Sequence, residues 1–175
     1  MRLFIAIDFP PEVKQQLSEL SCELERQADA GHAVPPENFH LTLVFIGETV
    51  RLREVIEQMD TICRTELAEP VRLVLEGIGS FKSKRGHSWW VGVDAGPELK
   101  SLANALIDGL REAGFSIDKR SFKPHVTIGR GVVASRPIRL EAPVIELAAN
   151  SISLMRSDRE NGRPVYSELH VTDTL

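Results

Sequence analysis

Two parts of the chain repeat the same order of residues at nearly the same distance. Residues 5–12 (IAIDFPPE) align with residues 91–98 (VGVDAGPE) at an offset of 86, and residues 40–43 (HLTL) align with residues 125–128 (HVTI) at an offset of 85. Each copy predicts a strand, a helix that begins at a proline, and a second strand that carries a His-x-Thr-x motif. We therefore expect a duplicated architecture whose pseudo-twofold axis brings both motifs to one cleft. The alternative is that the shared pattern, a strand followed by Asp, a turn, Pro and Glu, is an ordinary way to begin a helix and occurs twice without a duplication.

Hydrophobic periodicity predicts the remaining elements. We expect helices over 11–28, from residue 52 until Pro70 forbids continuation, and from Pro97 to a left-handed cap at Gly114. Expected strands cover 3–7, 39–46, 71–78, 88–93 and 125–129, with β-rich runs near 144–155 and 165–171. Residues 31–36 and 79–86 are predicted loops, and residues 157–162 form a polar turn with Asn-Gly chemistry.

The charge of the chain is weakly acidic and unevenly distributed. The 175 residues hold 21 Lys and Arg against 25 Asp and Glu, a net charge of −4, so the chain is not a general polyanion binder. Two windows, 77–93 and 119–140, hold no acidic residue. Nine cations fall in these windows: Lys82, Lys84, Arg85, Lys119, Arg120, Lys123, Arg130, Arg136 and Arg139. Any contact with nucleic acid must therefore be local.

The composition favours one globular domain, with 42% hydrophobic and 26% charged residues. The apolar run at 3–7 is too short for a signal peptide or a membrane span, so we expect a cytoplasmic protein. Cys22 and Cys63 fall on predicted helices without a partner motif, which favours buried, reduced thiols over a disulfide or a zinc site. Nothing in the apolar pattern demands a partner subunit, so we expect a monomer.

The two motifs place groups that suit chemistry at phosphorus. Because side chains alternate along a strand, His40 and Thr42 share one face, as do His125 and Thr127, while the apolar residues anchor the other face. A neutral imidazole can take a proton from an attacking oxygen while a protonated one gives a proton to the leaving oxygen. Threonine hydroxyls and Arg130 can then hold the nonbridging phosphate oxygens.

The other three histidines are expected to play lesser roles. Residues 170–173 (HVTD) nearly repeat the motif, but they lack the second apolar anchor and the preceding strand–helix unit. We therefore expect His170 to lie at the end of a surface strand and to take no part in the chemistry. His32 and His87 lie in sequence that predicts exposed loops.

At this point the chain resembles a known family. The paired motifs resemble the two-histidine phosphoesterases, and residues 2–8 (RLFIAID), residues 40–47 (HLTLVFIG) and Arg130 look like the RNA 2′,3′-cyclic phosphodiesterase branch, also called 2′-5′ RNA ligases. The resemblance implies a bilobal α+β fold, with two antiparallel sheets facing a central cleft and helices outside, over a single catalytic domain of residues 1–175. Gly129 departs from the pattern, since relatives often carry a bulkier residue there.

The resemblance also implies an activity. It is the hydrolysis of RNA 2′,3′-cyclic phosphate ends to a terminal 2′-phosphate, without metal or cofactor. His125 would be the base that activates water, His40 the acid that protonates the 3′ oxygen, and Thr42 and Thr127 the phosphate ligands. The residues alone leave the order of acid and base open.

Residues beside the basic loop are candidate substrate contacts. Phe81 and Trp90 offer stacking surfaces near cations, and Lys123 precedes the second motif. Trp90 is equally consistent with a structural role, since adjacent tryptophans on a strand point to opposite faces.

Other functions remain open on the sequence. A nonenzymatic module that binds RNA ends would need the same cleft, although binding alone does not need paired imidazoles. A metal-dependent phosphodiesterase would need a third ligand, which neither motif supplies. Within the enzyme class, the same groups could join RNA through 2′-5′ linkages or open ADP-ribose cyclic phosphate.

Overall fold

The structure is a computed structural model that describes residues 1–118 and 122–173. Within them the chain forms three α-helices, α1 (Pro11–Gln27), α2 (Leu52–Glu66) and α3 (Pro97–Glu112), and a short 3₁₀ turn, Pro36–Asn38. The strands are β1 (Arg2–Asp8), β2 (Ala30–Ala33), β3 (His40–Glu48), β4 (Val71–Ser83), β5 (Gly86–Ala95), β6 (His125–Val133), β7 (Ile145–Ala149), β8 (Ser151–Glu160) and β9 (Arg163–Asp173).

The strands form two antiparallel sheets, one for each copy of the repeat. A four-stranded sheet has the order β3-β1-β8-β9, and a five-stranded sheet has the order β2-β6-β5-β4-β7. In the first, β1 pairs with β3 and places Asp8 opposite His40. In the second, β5 pairs with β6 and places Gly92 opposite His125. This arrangement confirms the expected α+β fold with two antiparallel sheets.

The helices connect the two halves. Helix α1 follows β1 of the four-stranded sheet, yet it packs on β2 and β6 of the five-stranded sheet. Its buried face carries the apolar residues that the periodicity predicted, among them Val13, Leu17 and Leu24. Helix α3 follows β5 and packs on α2, β3 and β5. One continuous hydrophobic core therefore includes residues from both sheets.

Two predicted loops are partly strand, so those predictions are wrong for the residues that pair. Residues 31–33 of the predicted loop at 31–36 belong to β2, which pairs with β6, and Gly31 has φ +106°, where an added Cβ would lie 2.7 Å from the Val132 Cα. In the predicted loop at 79–86, β4 continues to Ser83 and pairs with β5 as far as Gly86, which leaves only residues 84–85 as a turn. Strand β6 also runs beyond residue 129 to Val133. The predicted turn at 157–162 shrinks to two residues with positive φ, Asn161 and Gly162.

The two cysteines differ in exposure. Cys63 is buried on α2, and its burial raises the pKa of the thiol to about 12. Cys22 is exposed on α1, so the expectation that both thiols are buried is wrong for Cys22. Its position faces the cavity described below rather than the core of α1. No helix in residues 1–118 or 122–173 is long and apolar enough to cross a membrane.

Candidate active site

The two His-x-Thr-x motifs line the same cavity. His40 and Thr42 from β3 and His125 and Thr127 from β6 face a pocket of about 390 Å³, and Arg130 lines it as well. Beside the motif residues, Leu41 and Leu43 of β3 and Val126 and Ile128 of β6 are buried in the core, as the strand period requires. The period breaks after Leu43, since Val44 and Ile46 are buried and Phe45 is exposed. Five residues predicted from the sequence thus come together across the gap between the sheets.

The ring of His40 is held by the strand that carries it. Its Nδ1 lies 2.9 Å from the carbonyl oxygen of Asn38, and because a carbonyl can only accept, Nδ1 carries the proton. Its Nε2 then accepts from the Thr42 hydroxyl at 3.0 Å. Burial lowers the pKa of His40 to about 4, and the positive charge of Arg130 acts in the same direction. His40 is therefore neutral at pH 7 in the free protein.

The ring of His125 is held in the same way. Its Nδ1 donates to the carbonyl oxygen of Lys123 at 2.7 Å. The acceptor is again the residue two positions before the histidine. In the neutral form, Nε2 is the nitrogen left with a lone pair. The repeated motif thus fixes the same tautomer twice.

Each histidine also contacts two aromatic rings. The centroids of Phe4 and Tyr166 lie 4.9 and 5.1 Å from the centroid of His40. The centroids of Phe81 and Trp90 lie 5.2 and 6.0 Å from the centroid of His125. Tyr166 and Phe81 both meet their histidine edge-on, at interplanar angles of 88° and 81°. These rings shield one side of each imidazole from water.

Trp90 depends on a glycine across the strand pair. A Cβ at Gly79 would overlap the Trp90 ring, so only glycine leaves room for the ring. The Trp90 Nε1–H is buried without a hydrogen-bond partner among the described residues. Trp90 therefore supports the His125 ring by packing, which agrees with the structural alternative for this residue.

Several lining residues had no sequence signal. Phe45, Arg163, Pro164 and Tyr166 form one wall, and Tyr166 is the only tyrosine of the chain. It follows the Asn-Gly turn on β9, but no motif marks it. Because β9 is the outermost strand of its sheet, only the register of the β8–β9 hairpin could have placed it beside the cavity.

The opposite wall comes from α1, β2 and the segment after β2. Ser18, Cys22 and Glu25 line it from α1, together with residues 32–36. The Glu25 carboxylate accepts from the Ala33 backbone N–H at 3.0 Å and so fastens β2 to the helix. His32 is exposed, as expected, but it lies on β2 and lines the cavity rather than belonging to a loop.

Other predicted contacts lie elsewhere. Lys123 lines a separate shallow cavity with Glu76 and Asp94, and it meets His125 through its backbone carbonyl. Lys119 and Arg120 lie outside the described residues. A Cβ at Gly129 would overlap a Leu24 methyl carbon, which gives a steric reason for the glycine at this position.

The third near-match to the motif, at His170 and Thr172, forms hydrogen bonds with a helix instead of lining the cavity. His170 Nε2 lies 2.8 Å from Asp60 Oδ1, and the Thr172 hydroxyl donates to the same oxygen. These bonds join β9 to α2 and lie away from the residues that line the cavity. His87 is half-buried on β5 rather than in an exposed loop, so that prediction is wrong, and its Nδ1 lies 3.2 Å from the Ser80 hydroxyl. Among the described residues, no group of three or more His, Cys, Asp or Glu is placed to hold a metal ion.

Sequence comparison identifies relatives along nearly the whole chain. The profile of the 2′-5′ RNA ligase superfamily matches residues 9–161. The RNA 2′,3′-cyclic phosphodiesterase of Thermotoga maritima is 35% identical, covering 97% of this chain and 94% of the relative. The enzyme of the same name from Escherichia coli K12 is 30% identical, covering 96% and 93%.

Solved structures share the fold. The protein TT0787 of Thermus thermophilus superposes with a TM-score of 0.84 at 30% identity, covering 99% of this chain and 97% of that chain. Escherichia coli LigT in complex with 3′-AMP gives a TM-score of 0.83 at 27% identity, with the same coverage of 99% and 97%.

Proposed function

This chain belongs to the 2′-5′ RNA ligase superfamily, and from that premise we propose that it hydrolyses RNA 2′,3′-cyclic phosphate ends to a terminal 2′-phosphate. It is an enzyme of the RNA 2′,3′-cyclic phosphodiesterase class, the name that its relatives carry over more than nine-tenths of this chain. One observation carries the proposal for the site: both His-x-Thr-x motifs line one cavity with Arg130.

The reaction needs one proton acceptor and one proton donor. Water attacks phosphorus as the base His125 takes its proton, so a P–O bond forms to the water oxygen. The bond from phosphorus to the 3′ oxygen breaks as the acid His40 donates a proton from Nε2 to that oxygen. Each proton transfer by a positioned side chain contributes about 10²–10⁴-fold in rate. The 2′ oxygen keeps the phosphate.

To act as the acid, His40 must be protonated, whereas the free protein favours its neutral form. The pKa of about 4 reflects burial and the nearby Arg130 charge in the unliganded cavity. A phosphate anion beside Nε2 opposes both effects and raises the pKa of the ring. Protonation of Nε2 also ends its acceptance of the Thr42 hydroxyl, which then becomes free to donate to a nonbridging oxygen. Thr127 and Arg130 complete the phosphate site.

The same machinery permits ligation. If a 5′-hydroxyl replaces water, the same two proton transfers in the same order form a P–O bond to the 5′ oxygen and release the 3′ oxygen as a hydroxyl, which gives a 2′-5′ linkage. ADP-ribose cyclic phosphate presents a related reacting group. Hydrolysis dominates in dilute solution because water is in large excess.

The function is tested by product analysis. An oligoribonucleotide ending in a 2′,3′-cyclic phosphate is incubated with the protein in EDTA, and the position of the product phosphate is determined by NMR or by nuclease mapping. We expect complete conversion to the 2′-phosphate. A 3′-phosphate product would reverse the assigned leaving group, and an unopened ring would contradict the proposed function.

A further inference from the structure

The β4–β5 hairpin extends beside the catalytic cavity and ends in two cations. Phe81 lies on the cleft face, where its ring contacts that of His125 at 5.2 Å between centroids. Lys82 lies on the opposite face of β4, since it is next to Phe81 along an alternating strand. Lys84 and Arg85 form the exposed turn. The Ser83 hydroxyl donates to the Gly86 carbonyl at 2.7 Å and so fixes the shape of the turn.

The surface between this turn and Arg130 is almost free of side chains. Phe81 pairs with Ser88, whose neighbours Trp89 and His87 face Gly129 and Val132 of β6. Ser88 therefore lies opposite residues 130–131. A Cβ at Gly86 would lie 2.7 Å from the Gly131 carbonyl carbon, so the two backbones touch directly. We call the surface formed by Ser83, Gly86, Ser88 and Gly131 the glycine shelf.

The cations around the glycine shelf have no acidic partner. Within the described residues no salt bridge involves Lys84, Arg85 or Arg130, and no acidic residue occurs between positions 77 and 93. By contrast, two arginines at the start of α2 have acidic partners, since Arg51 pairs with Glu54 and Arg53 with Glu57. A bare backbone surface flanked by unpaired cations and the Ser88 hydroxyl suits a chain of phosphates, because these are the groups that contact nucleic-acid backbones.

We propose that the glycine shelf, with Lys84 and Arg85, binds the sugar-phosphate backbone of the RNA strand that precedes the terminal nucleotide. The inference rests on the proposed function and specifies its substrate as an oligoribonucleotide rather than a free cyclic nucleotide. The cyclic phosphate occupies the 2′ and 3′ oxygens of the last ribose, so the strand must leave the cavity through the 5′ oxygen. The shelf begins at Arg130 and Phe81, which border the site on this side.

The test compares substrates of two lengths. kcat and KM are measured for a cyclic-phosphate-ended tetranucleotide and for the matching 2′,3′-cyclic mononucleotide, with the variants Lys84→Ala, Arg85→Ala and the double variant. We expect the double variant to raise KM for the tetranucleotide about tenfold while the mononucleotide kinetics stay unchanged. Lys82→Ala is the matched control, since it removes the same charge from the opposite face of the same hairpin.

Salt dependence gives a second measure. The slope of log kcat/KM for the tetranucleotide against log salt should become shallower by about 0.7 for each lost phosphate contact. The inference is overturned if Lys82→Ala raises KM for the tetranucleotide as much as Lys84→Ala does. It is also overturned if tetranucleotide and mononucleotide lose activity equally.

Equilibrium binding separates this inference from the proposed function. A 5′-fluorescein tetranucleotide that ends in a 2′-phosphate is not consumed, and its anisotropy reports binding without catalysis. Weaker binding to the double variant, with Lys82→Ala like wild type, supports the shelf even if no cyclic phosphate is opened. Equal binding to all variants overturns the shelf even if hydrolysis is fast.

Discussion

The backbone fixes the protonation geometry of both histidines. In each motif the carbonyl two residues before the histidine accepts from Nδ1–H, at 2.9 Å for His40 and 2.7 Å for His125. In the neutral form the other nitrogen of each ring, Nε2, is left with the lone pair. Because the acceptors are backbone carbonyl oxygens, these hydrogen bonds depend on where the histidine stands at the start of its strand and not on the side chains of residues 38 and 123.

Removing either histidine should abolish most of the activity. We expect His40→Ala and His125→Ala each to lower kcat/KM by about 10²–10⁴-fold, since each removes one proton transfer. His170→Ala is the matched control, because His170 stands in a similar motif but contacts Asp60 instead of the cavity. Circular dichroism verifies the fold of each variant. Full turnover by either active-site variant would remove that residue from the mechanism.

The residual activity of the two variants should depend on pH in opposite ways. With His40 removed, the remaining base His125 must lose its proton, so activity should rise with pH. With His125 removed, the remaining acid His40 must hold its proton, so activity should fall with pH. Initial rates measured across the acidic and neutral range give both slopes. If activity instead fell with pH in His40→Ala and rose with pH in His125→Ala, His40 would be the base and His125 the acid.

The lowered pKa of His40 should make stability depend on pH. The ring titrates near 6.5 when unfolded and at about 4 in the folded protein, so between these values the unfolded chain binds more protons. The contribution of neutral His40 is complete above pH 6.5 and is lost as pH falls toward 4, by roughly 2–3 kcal/mol. Urea unfolding at neutral pH and near the folded-state pKa measures the loss, which should shrink in His40→Gln. An equal loss in both proteins would contradict the assignment to His40.

At the scale of elements, local patterns predicted those strands and helices that bury a regular apolar face. The three helices begin and end close to the predicted positions because their apolar residues recur at helical spacing. Strand β2 escaped prediction because its four residues are mostly exposed and form an edge that only β6 stabilises. The outer half of β4 escaped prediction because a glycine such as Gly79 is typical of a turn. In the structure Gly79 lies within the strand, and the Trp90 ring fills the space beside it. Both features depend on a neighbour distant in sequence.

A buried hydroxyl on helix α1 bonds to strand β6 and to the residue that follows β2, and it should matter for stability. Ser21 is fully buried, accepts from the Val34 N–H at 3.0 Å, and donates to the Ile128 carbonyl oxygen of β6. Ser21→Ala removes this partner from both backbone groups, which still bond to each other through the Val34 N–H and the Ile128 carbonyl oxygen at 3.0 Å, so we expect a loss of about 0.5–1.5 kcal/mol in the free energy of unfolding. Ser18→Ala, one turn earlier on the pocket side, should change it by less than about 0.5 kcal/mol. Chemical denaturation of both variants decides, and equal stabilities would refute the bridging role.

At the scale of the whole molecule, the two halves are linked by helices α1 and α3. Helix α1 leaves the four-stranded sheet and covers β6 of the five-stranded sheet, whereas α3 follows β5 of the five-stranded sheet and contacts both β5 and β3. Helix α1 is therefore exchanged between the sheets, and α3 bridges them. The cavity lies where the two sheets contribute β3 and β6, so its geometry depends on the relative position of both halves. The two His-x-Thr-x motifs line one cavity only while the halves keep this relative position.

The exchange predicts that residues 1–175 unfold as one unit. Both tryptophans lie on β5, so their fluorescence reports the five-stranded sheet. Leu154 is fully buried on β8 of the other sheet, and Leu154→Ala should cost about 2–5 kcal/mol. If the halves are cooperative, the midpoint of the tryptophan transition falls by the same amount as that of the far-ultraviolet circular dichroism. Leu73→Ala, on β4 beside β5, serves as the control that must shift both signals. An unchanged tryptophan transition in Leu154→Ala would mean that the sheets unfold separately, and that the cavity can lose one histidine while the other stays in place.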